Sequence, residues 1–321
     1  MGVGSGLERP WFESPFLDRE LAESDLDPDS RERVRSYARD GYAVIDLRTP
    51  DFDRIAERID QALHERHAST NRIQDAWRYV PEVRELASSE VVSRTLRTLY
   101  GRRPIPFQTL NFRRGTEQRT HSDMVHFDSM PQRFMAGVWI ALEDIGPGSG
   151  PLHYYPGSHR LAEYLPHEMS LSGSASVTAR YQEYEDFLTR LLEGSGLRKE
   201  VVQPRKGEAF IWSANMLHGG DPIADPDSTR RSQVTHYYFE GCRYWTPLAS
   251  DPPIGRIFWR RVVNVETGEV EPHHYQGKRV RLPWLAALRG ALEDRPDEPG
   301  PIRHAALWAL GWLERRRRSW I

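Results

Sequence analysis

Apolar residues in the first hundred positions recur three and four residues apart, which is the spacing of amphipathic helices. This spacing predicts helices at residues 29–39, 50–67 and 83–100, and Asp29 or Ser30 is placed to cap the first. Asp40 and Gly41 end that helix, and residues 42–47 then form a predicted strand. We expect this helical part to lie outside a β-rich core and to brace one of its sheets.

Short apolar or alternating segments replace the helical spacing after residue 106. They predict strands at residues 107–113, 134–142, 152–155, 208–213 and 232–240. The second of these segments is almost continuously apolar, which is typical of a strand that is buried on both faces. The pattern therefore predicts a mainly β domain with helical additions.

Three regions flank or interrupt this core. Residues 1–28 contain three prolines and are predicted to form an irregular N-terminal arm, before a main domain at residues 29–284. Within that domain, residues 161–203 form a long insertion with a predicted helix at 179–192. Long insertions in compact domains are usually functional, so we expect a lid over the core. Residues 285–321 are predicted to form a C-terminal helical tail.

The tail contains an apolar run at residues 305–313, followed by arginines at 315–318. A membrane-spanning helix needs about 20 apolar residues, so this run does not predict a membrane span. We expect the helix to pack against the core or against a second subunit, and the second arrangement would make the protein a homo-oligomer. Contact with a membrane surface is the less favoured alternative.

Composition and charge exclude several classes of function. The net charge is −2 and the two signs are interspersed, so no nucleic-acid-binding surface is predicted. The single cysteine, Cys242, can form neither an intramolecular disulfide nor a thiolate metal cluster. The N-terminal residues lack the basic-then-apolar pattern of a signal peptide, which predicts a cytoplasmic location.

Candidate metal ligands occur in two separate segments. His121 and Asp123 are two residues apart, so in an extended segment their side chains point the same way. His218 follows far downstream, as is possible when a sheet brings distant strands together. Two imidazoles and one carboxylate on one side of a metal form the facial triad of non-heme Fe(II) oxygenases.

A candidate anion-binding pair follows the second histidine. Arg230 and Ser232 share one face of a predicted strand, whereas Arg231 points to the other face. A guanidinium group with a hydroxyl beside it suits a carboxylate. The ordered set His-x-Asp, His and Arg-x-Ser is the layout of Fe(II)/2-oxoglutarate oxygenases.

Through these residues the chain resembles the phytanoyl-CoA dioxygenase family, from about residue 31 to about residue 247. Further landmarks are Asp40-Gly41-Tyr42-Ala43-Val44-Ile45, Glu117-Gln118, Gly137 to Asp144, Gly150-Pro151-Leu152, Pro156-Gly157-Ser158-His159 and His218-Gly219-Gly220. The resemblance implies a double-stranded β-helix, which is a jelly-roll or cupin-like barrel, in the domain at residues 29–284. It also implies Fe(II) as the metal and 2-oxoglutarate and O2 as cosubstrates.

The resemblance also ranks rival residues. A second pair, His126 and Asp128, competes with His121 and Asp123. In the family a glutamine-bearing turn precedes the metal pair and an aromatic residue follows the carboxylate by four positions, and Phe127 occupies that position after Asp123. We therefore expect the first pair to bind iron, and His126 either to support the metal ligands or to face the substrate.

Three further residues are candidates for the cosubstrate pocket. By resemblance, Trp139 is expected to form one wall of the pocket for 2-oxoglutarate. Gln108 and Asn111 lie on opposite faces of one predicted strand, so at most one of them is expected to contact the cosubstrate.

The sequence therefore predicts an Fe(II)/2-oxoglutarate-dependent dioxygenase that oxidises a small molecule and releases succinate and CO2. Hydroxylation is the expected outcome and ring closure or desaturation the alternative, on a secondary metabolite or a sugar-bearing compound. Asp123 argues against halogenation, because related halogenases replace this carboxylate by Gly or Ala. The main alternative is a cupin-like barrel that binds a metal or ligand without redox chemistry. A zinc hydrolase is disfavoured because its reaction would give Arg230 and Ser232 no role.

Overall fold

The computed structural model describes residues 8–169 and 176–283. Its helices are α1 (Leu17–Ala22), α2 (Pro28–Asp40), α3 (Phe52–His67), α4 (Pro81–Ala87), α5 (Glu90–Tyr100) and α6 (Val177–Ser195). Its strands are β1 (Tyr42–Asp46), β2 (Arg72–Gln74), β3 (Pro104–Phe112), β4 (Asp128–Met130), β5 (Met135–Ala141), β6 (Leu152–Tyr154), β7 (Glu200–Val202), β8 (Glu208–Ser213), β9 (His218–Gly220), β10 (Ser232–Phe239), β11 (Arg243–Trp245), β12 (Val262–Val263), β13 (Val270–Glu271), β14 (His273–Tyr275) and β15 (Lys278–Val280). The predicted C-terminal tail and its oligomer contact lie outside the described residues.

Helix α2 begins at Pro28, one residue earlier than the sequence pattern predicted. Its cap is Asp27, whose carboxylate accepts a hydrogen bond from the Ser30 backbone N–H at 2.9 Å. Pro28 occupies the first helical position, where its missing N–H costs nothing. The prediction of Asp29 or Ser30 as the cap was therefore wrong. The predicted end at Gly41 is confirmed, because that residue adopts a left-handed backbone with φ of 81°.

The predicted helix at residues 83–100 is two helices, α4 and α5. Ser88 ends the first, and Ser89 has an extended backbone with ψ of 125° before the second begins. The buried residues Leu86 and Val92 are six positions apart, which is not a helical spacing, so one continuous helix could not bury both.

The described part of the N-terminal arm also differs from expectation. A short 3₁₀ turn at Trp11–Glu13 and helix α1 replace the irregular structure that its prolines suggested. Phe12 and Leu21 are buried in the core that the helices form with the sheet. The domain boundaries themselves stay predictions.

The main sheet has six antiparallel strands in the order β1-β8-β5-β10-β3-β2. Along β5 the side chains alternate between two cores: Val138 and Ile140 pack with the helices, whereas Trp139 and Ala141 pack on the inner face. Every residue of β5 is buried, which confirms the prediction of a strand covered on both faces. The helices therefore shield the outer face and leave the inner face to form a cavity.

A smaller antiparallel sheet, in the order β7-β6-β9, provides the other wall of that cavity. Leu152 of β6 joins Trp139 and Phe210 of the main sheet in one buried cluster. The fold is the expected double-stranded β-helix with helical additions. No described helix is long and apolar enough to cross a membrane, and the cytoplasmic location stays a prediction.

The insertion at residues 161–203 contributes to both helix and sheet in its described part. Helix α6 is longer than predicted, and β7 adds an edge strand to the smaller sheet. Tyr184 and Leu188 of α6 form a buried cluster with Val125, Leu217 and Leu248. The insertion is thus packed against the segments that carry the candidate metal ligands.

Candidate metal centre and cosubstrate pocket

Two distant segments meet at the candidate metal centre. His121 and His218 pair through their backbones, with N···O distances of 2.9 and 3.0 Å. Asp123 follows at the start of a 3₁₀ turn rather than in an extended segment, and its carboxylate still faces both imidazoles. One ligand atom from each of the three side chains lies within 4.8 Å of the other two, and all three residues are buried.

The imidazole rings are oriented by backbone carbonyls. Nδ1 of His121 donates to the Arg119 carbonyl at 2.9 Å, and Nδ1 of His218 donates to the Met216 carbonyl at 3.0 Å. These hydrogen bonds place the ring protons on Nδ1 and leave each Nε2 free as a metal ligand. Gln118 is consistent with this arrangement, because its amide nitrogen lies 3.2 Å from Nε2 of His121.

The Asp123 carboxylate is held by a tryptophan that the sequence analysis did not single out. Trp212 donates its indole N–H to Oδ2 of Asp123 at 2.8 Å. Trp212 needs a glycine opposite it on β5, since a side chain at Gly137 would overlap with the indole ring. Gly137 is visible in the sequence, but its position opposite Trp212 follows only from the register of β5 and β8.

The protonation states of these groups suit a divalent metal. Burial alone would raise the pKa of Asp123, but the neighbouring imidazoles of His218 and His236 hold this pKa well below its ordinary value. Burial and the nearby His121 lower the pKa of His218 to about 4. An ionised carboxylate and a neutral imidazole are the forms that bind metal. The donor set therefore fits Fe(II), although the ligand assignment itself stays a prediction.

A further histidine, His236, lies beside the centre and was missed. Its Nε2 is 3.5 Å from Oδ2 of Asp123, and its Nδ1 is 3.0 Å from the side-chain oxygen of Gln108. Strand parity could have found it, because His236 is an even number of positions from Arg230 and both face the cavity.

The two neighbouring arginines have opposite environments. Arg230 is 4% exposed and lines the cavity, and its only described side-chain hydrogen bond goes from Nη1 to the Gly150 carbonyl at 2.8 Å. Burial lowers the pKa of Arg230 to about 10, so it stays charged at neutral pH. Arg231 instead forms salt bridges with Glu143 at 2.7 Å and Asp60 at 3.0 Å. Of the two rivals, Arg230 is the one without a carboxylate partner in the described structure.

The other predicted pocket residues fall into two groups. Trp139 lines the cavity, and its ring centroid lies 5.7 Å from the Arg230 guanidinium carbon. Gln108 and Ser232 are not among the cavity-lining residues: the first bonds His236, and the second donates to the Arg230 carbonyl at 3.3 Å. Asn111 donates to the Gln233 side chain at 3.3 Å. Direct cosubstrate contacts by Gln108 and Ser232 stay predictions.

The rival pair His126 and Asp128 is divided between two environments. His126 lines the cavity and its ring centroid lies 4.8 Å from that of Tyr181. Asp128 lies in β4, is fully buried, and is not part of the ligand group. The structure thus brings only the first His-x-Asp pair together with His218 among the described residues.

The cavity between the sheets has a volume of about 580 Å³. It is lined by the candidate metal ligands, by Arg230 and Trp139, and by polar and apolar residues that include Arg72, Phe112, Phe127, Val234 and Arg260. A volume of this size suits a small molecule.

Comparison with known families decides the class of the protein. Residues 30–232 match the family described as phytanoyl-CoA dioxygenase (PhyH). The chain belongs to this family. Its members are Fe(II)/2-oxoglutarate-dependent oxygenases, so the protein is an oxidoreductase, and a non-redox barrel is not favoured.

Solved structures share the fold of this PhyH protein at low sequence identity. EctD from S. alaskensis with bound Fe is 20% identical with a TM-score of 0.54, and the match covers 70% of this chain and 83% of that one. SnoK, described as a non-heme alpha ketoglutarate dependent carbocyclase from nogalamycin biosynthesis, is 19% identical with a TM-score of 0.53 and coverages of 69% and 87%. EctD has also been crystallised with 2-oxoglutarate and 5-hydroxyectoine. No curated protein matches the chain in sequence.

Proposed function

We propose that this PhyH protein binds Fe(II) through His121, Asp123 and His218. The distal carboxylate of 2-oxoglutarate is proposed to bind Arg230, and a small-molecule substrate enters the same cavity. The observation that carries this proposal is the buried guanidinium group of Arg230, which has no carboxylate partner and an unused Nε–H in the described structure. It lies in the cavity that contains the three candidate ligand side chains.

The environment of Arg230 favours an anion from outside the protein. Its Nε atom is buried and has no hydrogen-bond partner in the described structure. A buried charge without a partner costs several kcal/mol, by an order-of-magnitude rule of roughly 3–5 kcal/mol for a broken pair. A carboxylate supplied by the cosubstrate would satisfy Nε and the remaining N–H groups in the bidentate geometry that guanidinium favours.

Each protein group has a defined task in this proposal. When bound, iron and 2-oxoglutarate supply the oxidising chemistry with O2 and release succinate and CO2. The Nε2 atoms and the Asp123 carboxylate hold the metal on one side, and Trp212 keeps the carboxylate in position. Trp139 and the apolar lining exclude water, which strengthens the ion pair of Arg230 with the cosubstrate.

Hydroxylation of a carbon centre is the proposed outcome, with ring closure as the alternative. A neighbour in fold is described as a carbocyclase, so ring closure is compatible with this barrel. Halogenation is disfavoured because Asp123 retains a metal-binding carboxylate where a halide would otherwise bind. A secondary metabolite or a sugar-bearing compound is the proposed substrate class.

The test is an anaerobic titration of the purified protein with Fe(II) and 2-oxoglutarate, followed by the visible charge-transfer band of the chelate. We expect the band in the wild type and its loss in Asp123→Ala. Arg230→Gln should raise the concentration of 2-oxoglutarate needed by about tenfold to a hundredfold, because it removes hydrogen bonds between charged groups.

Arg231→Gln is the matched control, since it removes the same charge from a neighbour that pairs with Glu143 and Asp60. It should change the 2-oxoglutarate requirement little. Equal effects of the two arginine variants would count against the anchor, and iron binding without the band would count against the oxygenase site itself.

A further inference from the structure

We infer that the substrate carries an acid group, a carboxylate or a phosphate, which binds Arg260 and Arg72 in the same cavity. This inference rests on the proposed function, because it takes Arg230 as already engaged by 2-oxoglutarate. It adds the substrate class, which the metal centre alone does not define.

The charges that line the cavity are strongly unbalanced. Three arginines contribute to the lining, namely Arg72, Arg230 and Arg260, whereas Asp123 is the one carboxylate among the lining residues. Within the described part of the chain, no carboxylate lies within salt-bridge distance of Arg72 or Arg260. The positive charges that line the cavity therefore outnumber the negative ones, which favours binding of anionic ligands.

The cosubstrate does not remove this imbalance. A divalent metal is neutralised by Asp123 and by the keto-acid carboxylate of 2-oxoglutarate. The distal carboxylate of 2-oxoglutarate is neutralised by Arg230. Arg72 and Arg260 then remain as two positive charges that line the space left for the substrate, and a cavity lined by one sign of charge favours an oppositely charged ligand.

Arg260 is preorganised as an anion donor. Its Nη1 donates to the Thr246 hydroxyl at 3.2 Å, and its guanidinium carbon lies 4.8 Å from the ring centroid of Phe127. Its Nε atom is buried and has no hydrogen-bond partner among the described residues. A guanidinium group held on an aromatic face with an unused N–H loses little entropy when it binds a planar acid.

Arg72 supplies the second positive charge, from a segment far from Arg260 in the sequence. It starts β2 at the edge of the main sheet, is exposed, and lines the cavity. With its acid group at Arg72 and Arg260, the substrate would have its carbon skeleton against the apolar residues of the cavity.

The experiment measures binding of matched acids and a neutral analogue to the enzyme loaded anaerobically with Fe(II) and saturating 2-oxoglutarate. The probes are benzoate, phenyl phosphate and benzamide, followed by calorimetry, while the chelate band is recorded. We expect at least one acid to bind about tenfold more tightly than benzamide, because the amide cannot form charge-assisted hydrogen bonds. Whichever acid binds more tightly identifies a carboxylate or a phosphate as the preferred group.

Arg260→Gln and the exposed Arg72→Gln should each reduce the preference for the acid several-fold, and Arg260→Lys should restore part of it. Arg84→Gln is the matched control, because Arg84 lies over Trp77, at 5.0 Å from the ring centroid, outside this cavity. It should leave the preference unchanged. If the Arg260 variant fails to form the chelate band, the decision rests on Arg72→Gln.

Several outcomes overturn the inference while the proposed function stands. In two of them the wild type forms the chelate band but binds the acids and the amide equally, or binds no acid at millimolar concentration. In the third, both glutamine variants keep the preference for the acid. In the fourth, the acid displaces 2-oxoglutarate and the band is lost. Absence of the band in the wild type instead contradicts the proposed function.

Discussion

Asp123 is a buried carboxylate that the fold keeps ionised and aimed at two histidines. Trp212 donates to one carboxylate oxygen, and the other oxygen lies 3.6 Å from Nε2 of His121. The position of this candidate ligand thus depends on Trp212, a residue outside the candidate ligand set. Hydrogen bonds to metal ligands commonly change metal affinity by about tenfold to a hundredfold.

Trp212→Phe should therefore lower the affinity for Fe(II) by about tenfold to a hundredfold, since it removes the hydrogen bond and keeps most of the ring. Anaerobic Fe(II) titration measures the change. Trp245→Phe is the control: Trp245 is 2% exposed, and its indole N–H has no hydrogen-bond partner in the described structure. Equal affinities of the Trp212 variant and the wild type would show that Asp123 does not need this donor.

Asp128 provides a pH test at the same scale. Burial, with a contribution from Glu163, raises its pKa to about 7, against an unfolded value of about 3.9. Below about pH 4 Asp128 is protonated in both the folded and the unfolded protein, so folding buries a neutral carboxyl group and not a charge. From about pH 4 to pH 7 the unfolded state releases its proton first, so the stability of the folded state falls as the pH rises.

Asp128→Asn removes this titration. The free energy of unfolding of the variant minus that of the wild type should rise by about 4 kcal/mol between about pH 4 and pH 8. This value follows from about 1.4 kcal/mol per pKa unit. Urea unfolding at several pH values measures it. A difference that stays constant with pH would mean that Asp128 titrates normally in the folded protein.

At the scale of elements, helix α6 links the insertion to both ligand-bearing segments. Tyr184 and Leu188 pack on Val125, which follows Asp123, and on Leu217, which precedes His218. Arg119 donates to Asp186 of the helix at 2.7 Å. The insertion therefore supports the segments that carry the candidate metal ligands, and its role as a lid stays a prediction.

Leu188→Ala should loosen this docking, because truncation of a buried leucine costs roughly 2–5 kcal/mol. Hydrogen exchange should accelerate in α6 and in the segment around His218, and Fe(II) affinity should fall. Val177→Ala, at a position 53% exposed in the same helix, should leave both unchanged. Unaltered exchange in the Leu188 variant would indicate that α6 is held by other contacts.

For the whole molecule, the site is a polar cluster enclosed by two apolar sheets. The inner cluster of Trp139, Phe210 and Val234 borders a cavity lined by Asp123 and by Arg230, which has no carboxylate partner among the described residues. Such an arrangement costs stability in the free protein and makes stability depend on the ligand concentration.

Fe(II) with 2-oxoglutarate should therefore stabilise the wild type by about 2.7 kcal/mol when the free ligand is at about one hundred times its Kd. Anaerobic thermal unfolding measures this as a rise in Tm. In Arg230→Gln the increment from 2-oxoglutarate should disappear while that from the metal persists. A Tm that does not respond to either ligand in the wild type would contradict a preformed site.

Local patterns determined most of the secondary structure and the candidate chemistry. Helical spacing placed α3, the continuous apolar run placed β5, and parity separated Arg230 from Arg231, because each of these features depends on neighbours along the chain. The break between α4 and α5 was missed because the apolar spacing was taken as continuous across Ser88 and Ser89.

The tertiary structure alone decided which side chains share the cavity. Trp212 and Arg260 come from segments distant from Asp123, and no local spacing relates them to it. For His236, parity with Arg230 indicates the face of the strand but not its position beside Asp123. Gln108 contacts His236 rather than lining the cavity, although it lies on a correctly predicted strand. The order of residues along the chain determines periodicity and motif, whereas partners across a sheet depend on register and on long-range pairing, which only the folded chain defines.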